Sequence, residues 1–326
     1  MHATDPQPAS SGADWGDAAE WQWMDLSCHW RVLGKSGDPA IVLIHGFGAS
    51  SSHWRHNAGP LAAAGFQVFS LDLIGFGRSG QPGLNRRFSL DNRLWAEQVA
   101  AFVEDIVGRP AVLVGNSLGG LTAVTIAAQR PELVRAAVAA PLPDPTLLNP
   151  LPTRQPTWLS QLRRIAVTLV CRLLPLELIV PLIARTSLLQ AGLQGAYTRS
   201  IRSDRELLKL IAEPALRSTA PRSLRAMSVG MALRPRSATA PFLLQRLQEM
   251  SRRPPLLLIW GRQDRFVPLM IGESIRRQHP WLDLEVINNV GHCPHDETPE
   301  LFQRELLHWL DRNLGGASAS GIGHQA

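Results

Sequence analysis

The chain has 326 residues, 45% of them hydrophobic and 18% charged, with a formal net charge of +6 at pH 7. That length matches roughly two domain-sized units, or one α/β domain carrying an insertion, and that composition excludes wholesale disorder. Cys28, Cys171 and Cys293 lie far apart with no C-x-x-C pair, which argues against a disulfide framework or a zinc site and suits a reducing, cytoplasmic setting.

Residues 1–19 are polar, acidic and rich in Ser, Ala, Pro and Gly. They have no apolar stretch behind a basic start, so they read as a disordered lead and not as a secretory signal. Trp21 to Leu33 shows an interrupted every-other apolar pattern, which predicts an antiparallel hairpin at a sheet edge. Ile41 to Ile44 is unbroken apolar, as a strand covered on both faces requires. Gly65 to Leu71 is another strand, ending at Asp72. Asn92 to Val107 spaces Leu94, Val99, Phe102, Val103 and Ile106 as a helical stripe. Ala111 to Val114, Gly120 to Ala128 and Val134 to Ala139 then read as strand, helix and strand. Such repeats predict a mostly parallel sheet with right-handed crossovers.

The pattern breaks at Pro141-Leu142-Pro143-Asp144-Pro145, a turn-rich hinge. Residues 145–252 have no strand-like alternation. Helical stretches include Leu159–Leu174, Leu178–Ala191 and Arg202–Ala212, punctuated by Pro175, Pro181, Pro214 and Pro221. Ile165 to Ile183 is apolar, but Arg172, Glu177 and two prolines argue against a membrane-spanning helix and for a helical cap with an apolar underside. The sheet resumes at Pro255–Trp260, followed by a helix at Met270–His279, a strand at Leu284–Asn288 and a helix at Pro299–Leu314. The expected architecture is an eight-stranded, mostly parallel sheet flanked by helices (20–144 and 253–314), an inserted helical cap (145–252) and a disordered tail (315–326).

Charge is unevenly spread. Residues 150–253 hold 17 Lys and Arg against 5 Asp and Glu, while the rest of the chain is net acidic. A basic cap is expected to favour peripheral contact with an anionic membrane. Nucleic acid is not an expected partner, because no aromatic residues interleave with the charges and no binding motif is present.

Gly115-Asn116-Ser117-Leu118-Gly119 sits between a strand and a helix. The tight turn this implies needs glycines where neighbouring backbone passes close, and it holds the serine at the tip in a strained conformation. Acyl transfer by a serine needs a base, an acid that orients the base, and donors for the developing oxyanion. Asp264 follows the strand ending at Trp260, and His292 follows the strand ending near Asn288, giving the chain order serine, acid, histidine. The backbone N–H groups of Leu118 and of Phe47, within His45-Gly46-Phe47-Gly48, are the expected oxyanion donors. His45 is expected to hold that loop and Asp72 to cap or pair in the turn Asp72–Gly80; Asp144 is the alternative position for the acid, with hinge duty favoured, His295 an alternative supporting group with a structural role favoured, and Cys293 structural. This chemistry implies no cofactor and no metal.

In that order the motifs His45–Gly48, Asp72–Gly80, Val114–Gly120, Gly261–Pro268 and Gly291-His292 resemble those of the α/β-hydrolase superfamily, over about residues 20–313. Val114–Gly120 with Gly291-His292-Cys293-Pro294-His295-Asp296-Glu297, and Trp95-Ala96-Glu97-Gln98-Val99, look like the pheophytinase-like hydrolases of plants and cyanobacteria, which remove a phytyl ester from a chlorophyll derivative. The resemblance implies an Ser117–Asp264–His292 triad. The arginine-rich cap departs from the plant members.

The expected activity is therefore hydrolysis of a carboxylic ester of a large apolar substrate through an acyl-enzyme. Gly-Asn-Ser-x-Gly-Gly also occurs in hydrolases that cleave a carbon–carbon bond of ring-opened aromatic diketones, which is the alternative. A non-catalytic scaffold that binds a membrane or partner through the cap is a third reading. Ser117 argues against family members that use an aspartate nucleophile.

Overall fold

In the computed structural model, which describes residues 12–148 and 157–315, eight strands form one sheet. They are β1 (Asp17–Trp23), β2 (Leu26–Leu33), β3 (Ala40–Ile44), β4 (Gln67–Leu71), β5 (Ala111–Asn116), β6 (Val134–Ala140), β7 (Leu256–Gly261) and β8 (Asp283–Ile287). Their order is β1-β2-β4-β3-β5-β6-β7-β8. β2 is antiparallel to both neighbours, and every pair from β4 to β8 across the sheet is parallel. The helices are α1 (Ala58–Ala63), α2 (Asn92–Phe102), α3 (Leu118–Gln129), α4 (Thr157–Leu173), α5 (Leu176–Ala184), α6 (Ser187–Gln194), α7 (Arg205–Ala215), α8 (Ala220–Leu233), α9 (Ala240–Glu249), α10 (Leu269–Gln278), α11 (Pro294–Glu297) and α12 (Pro299–Leu314).

The unbroken apolar strands are explained by what covers them. Successive side chains of a strand point to opposite faces, and here both faces are packed. Ile41 and Leu43 of β3 join a cluster with Trp54, Phe302 and Trp309, whereas Val42 and Ile44 join one with Trp95, Leu121 and Leu244. The first face is closed by α1 and α12, the second by α2, α3, α9 and α10.

Four features differ from the sequence reading, the first being that the helical stretch expected over Leu178–Ala191 is two helices, α5 and α6, parted at Arg185 and Thr186. Residues 12–19 are ordered: Trp15 is only 1% exposed, its Nε1 donates to the Ser51 carbonyl at 3.1 Å, and its own carbonyl accepts from Arg31. A single tryptophan in a polar stretch carries no period, so composition alone misread these residues as part of a disordered lead. Residues 1–11 and 316–326, the rest of that lead and the tail, lie outside the described residues. The helix expected over Asn92–Val107 ends in a π-helical turn at Val103–Val107, closed by Gly108 at φ 70°. Finally, α9 lies within residues 145–252, yet Leu243, Leu244 and Leu247 pack into the core cluster beside α3. The helices standing over the sheet's C-terminal edge are thus α4–α8.

Among the described residues no single helix is long and apolar enough to cross a membrane. Gln161–Leu173 and Leu176–Ala184 reach that length only together, with a 57° bend between them.

Candidate active site

The end of β5, the start of α3 and the loop after β3 meet at Ser117. Ser117 has φ 51° and ψ −116°, a left-handed backbone that an L-residue holds only when its surroundings enforce it. The glycines around it are steric necessities. A Cβ on Gly115 would run into the Gly119 carbonyl, and one on Gly119 into that of Ile44. Asn116 Nδ2 donates to the Ala140 carbonyl at 2.6 Å and to the His292 carbonyl at 3.2 Å, tying the turn both to β6 and to the loop that carries His292.

The three residues expected as a triad are brought together. His292 Nε2 lies 2.9 Å from Ser117 Oγ, and its Nδ1 lies 2.9 Å from Asp264 Oδ2. With aspartate accepting at Nδ1, the pairing assigns the neutral imidazole a proton on Nδ1 and leaves Nε2 to accept from the serine hydroxyl. Asp264 Oδ1 accepts from the backbone N–H of Phe266 at 2.8 Å and of Val267 at 2.9 Å, so the carboxylate cannot rotate away. All three side chains are nearly buried.

Phe47 and Leu118, the expected oxyanion donors, lie on the loop after β3 and at the start of α3. Leu118 is the first residue of α3, so its N–H has no acceptor within the helix and points at an anion-binding end. Phe47 tops the adjoining loop. Gly46 before it has its missing Cβ position 2.6 Å from Asn116 Oδ1 and 3.4 Å from Ser117 Cβ. His45 holds the loop from beneath: Nδ1 donates to the Gly46 carbonyl at 2.8 Å, and Nε2 accepts from the Leu73 N–H at 2.9 Å. Asp72 links the same region, accepting from the N–H groups of Ser51 and Arg78. Asp144 stays away from His292. It accepts from Arg234 and from the Ala240 N–H, both at 2.7 Å, and so joins the two chain crossings between the sheet and α4–α8.

A charged network behind His292 gave no signal in the sequence. Arg55 is buried and donates to Asp296 at 3.0 Å, to Asp204 at 2.7 and 3.0 Å, and to Glu206 at 2.8 Å. Arg55 belongs to the core, Asp204 and Glu206 to the start of α7, and Asp296 to α11, four residues after His292. Burial disfavours a charge on Asp296, but His53, protonated in the acid range where that carboxyl titrates, and Arg55 hold it well below the usual range. Asp204 is also opposed by burial, yet its bonds to Arg55 and to the Leu207 N–H hold it down to about 2. Glu297 accepts from Gly291 N–H at 2.7 Å, from Thr198 and Arg199 N–H at 2.6 and 2.7 Å, and from the Thr198 hydroxyl. His292 N–H itself donates to the Ala196 carbonyl at 2.7 Å. The loop bearing His292 is therefore stitched to residues 196–199.

His295 is fully buried within this network. Its Nε2 lies 3.3 Å from His53 Nδ1, His53 Nε2 lies 3.1 Å from Tyr197 Oη, and Tyr197 donates to Asp296 at 3.0 Å. Burial pushes His295 well below its ordinary value and His53 down to about 4, so both are neutral structural links at pH 7. Burial likewise pushes the Cys293 thiol upward, away from a reactive thiolate.

A pocket of about 410 Å³ lies between these loops and α5–α8. Phe47 and Phe76 form one wall, while Ile183, Leu188, Leu224 and Met227 are on the other side. Phe266 completes it, with its ring 5.3 Å from that of His292. Among the described residues lining the pocket none is charged, and Gln81 is the one polar side chain.

Residues 41–305 match the model of the alpha/beta hydrolase family, and the chain belongs to that family. It is similar to a chloroplastic pheophytinase of Arabidopsis thaliana, 28% identical over 333 residues. That match covers 89% of this chain and 65% of the plant protein, slightly under two thirds. It is also similar to a 2-hydroxy-6-oxononadienedioate/2-hydroxy-6-oxononatrienedioate hydrolase of Pseudomonas putida, 30% identical over 304 residues, covering 88% of this chain and 92% of the relative. Among solved structures, a membrane phospholipase A described as a bacterial virulence factor aligns with a TM-score of 0.68 and 26% identity, covering 92% of this chain and 87% of that one. The chain is a hydrolase by family.

Proposed function

We propose that this protein is a serine hydrolase that cleaves a carboxylic ester carrying a large apolar group. His292 Nε2 takes the proton from Ser117 Oγ as the oxygen attacks the ester carbonyl, and Asp264 stabilises the imidazolium that forms. The N–H groups of Phe47 and Leu118 receive the oxyanion; each such donor is worth about 2.7–4 kcal/mol in comparable enzymes. His292 then returns the proton to the leaving alkoxide. The acyl group stays on Ser117 until water, activated by the same imidazole, releases it as the acid.

The observation that carries the choice of substrate is the uncharged pocket lining. The Pseudomonas relative is named for a dioate, which has two carboxylates. A site for that dianion needs cationic partners, because burying an unpaired charge costs many kcal/mol. A hydrocarbon needs none, and gains about 25 cal/mol for each Å² of apolar surface it buries. The plant relative is a pheophytinase, and a phytyl ester belongs to the class such a pocket suits.

The test is a turnover panel of short and long p-nitrophenyl esters, a phytyl ester and a ring-opened dienedioate, with Ser117→Ala as blank. The expected result is kcat/KM rising with chain length and no turnover of the dienedioate. Turnover of the dienedioate alone would replace the ester reading with carbon–carbon bond cleavage.

A further inference from the structure

The outer side of α4 and α5 is apolar. Leu162, Ile165, Leu169 and Leu173 recur at helical spacing on α4, and Leu178 and Leu182 follow on α5. These six are between 53% and 74% exposed. A contiguous apolar face of this kind marks an interaction surface. The charges around it select the partner. Across α4–α6 there are four arginines, Arg163, Arg164, Arg172 and Arg185, against Glu177 alone. Glu177 is engaged by Arg225 at 2.7 Å. The surface thus joins exposed hydrocarbon to an excess of positive charge, the pairing that binds an anionic lipid interface.

Two residues of the pocket wall, on α5 and α6, also reach the surface. Ile183 and Leu188 line the 410 Å³ cavity and are themselves exposed at 38% and 56%.

We propose that the α4–α5 face docks on an anionic phospholipid bilayer and that the ester passes from the bilayer into the pocket between Ile183 and Leu188. The docking step stands on the surface alone, and the transfer step rests on the ester-hydrolase reading above.

The experiment uses the full chain and phosphatidylcholine vesicles with or without phosphatidylglycerol. Flotation is compared for the unaltered protein, Leu173→Asp/Leu178→Asp and Arg164→Glu/Arg172→Glu; none of these four residues lines the pocket. The expected result is preferential binding to anionic vesicles that falls about tenfold or more in each double variant. Turnover of a short water-soluble ester should stay unchanged, while turnover of a long-chain ester held in the vesicles falls in parallel with binding. Thermal melts establish that the variants are folded, and fluorophosphonate labelling of Ser117 reads the hydrolase assignment separately. Equal binding to neutral and anionic vesicles, or binding unaffected by both double variants, overturns the proposal. So does conversion of a dimer to a monomer by the leucine pair with vesicle binding unchanged, which makes a second copy of the chain the occupant.

Discussion

Two contacts of the α4–α8 region with the core, one charged and one apolar, are held by opposite means. Residues 196–206 are fastened to the core by directional bonds: Arg55 grips Asp204 and Glu206, Glu297 grips Thr198 and Arg199, and Ala196 accepts from His292. Helices α5 and α6 instead face the core across an apolar pocket, through Val180, Ile183, Leu188 and Leu193. The difference suits the tasks the proposed function gives each contact. A base must sit within a fraction of an ångström of its serine, and charge-assisted hydrogen bonds fix both distance and angle. A hydrocarbon chain needs only area and shape, which non-directional packing supplies. On the proposed reading, the charged contact supports the position of His292 and the apolar contact selects the substrate.

That contrast can be broken at the charged contact with the largest effect. Arg55→Ala leaves Asp296 buried without its main cation and should lower stability by about 3–5 kcal/mol, read by denaturant unfolding. An unchanged midpoint would mean the network is not holding the two regions together. Glu297→Gln keeps the shape but weakens the acceptor that pins Gly291. It should lower kcat roughly 10- to 100-fold, with little change in KM, because a slightly displaced base is costly. At the apolar contact the effect should be smaller and selective. Leu224→Trp fills the pocket and should cost long-chain esters about tenfold in kcat/KM while sparing short ones. Equal losses on both would place the chain-binding site elsewhere.

The smallest effect is in pH dependence. Burial holds His53 at about 4 in the folded state against an ordinary value of 6.5, so the unfolded chain takes up that proton first. Stability is then full above about pH 6.5 and declines as pH falls toward 4. His29 and His45 are displaced in the same direction by burial. His53→Gln should therefore flatten, without abolishing, the decline in melting temperature over that window.

Much of the fold and site was legible because the signals are local. The glycines of Gly115–Gly120 stand in one contiguous motif, Gly115 pressed against Gly119, Gly119 against Ile44 and Gly120 against Pro141, and Asp264 and His292 each lie just past the C-terminal end of a strand. The Arg55–Asp204–Asp296 network was not legible: its members lie as far apart as 241 residues, and nothing in the neighbourhood of Arg55 marks it as buried. Helix α9 shows the same limit. Its apolar stripe has the period of any amphipathic helix, and the period does not say whether it faces α3 or the cap. Trp15 was missed because one residue makes no pattern.

The most direct test of the account is covalent labelling of the native protein by a fluorophosphonate, followed by peptide mass mapping. A single adduct on Ser117 is expected, lost in Ser117→Ala and strongly slowed in His292→Ala, with both variants melting as the parent does. Folded, ester-cleaving protein that takes up no label, or carries it on another residue, would contradict the assignment of Ser117 as nucleophile.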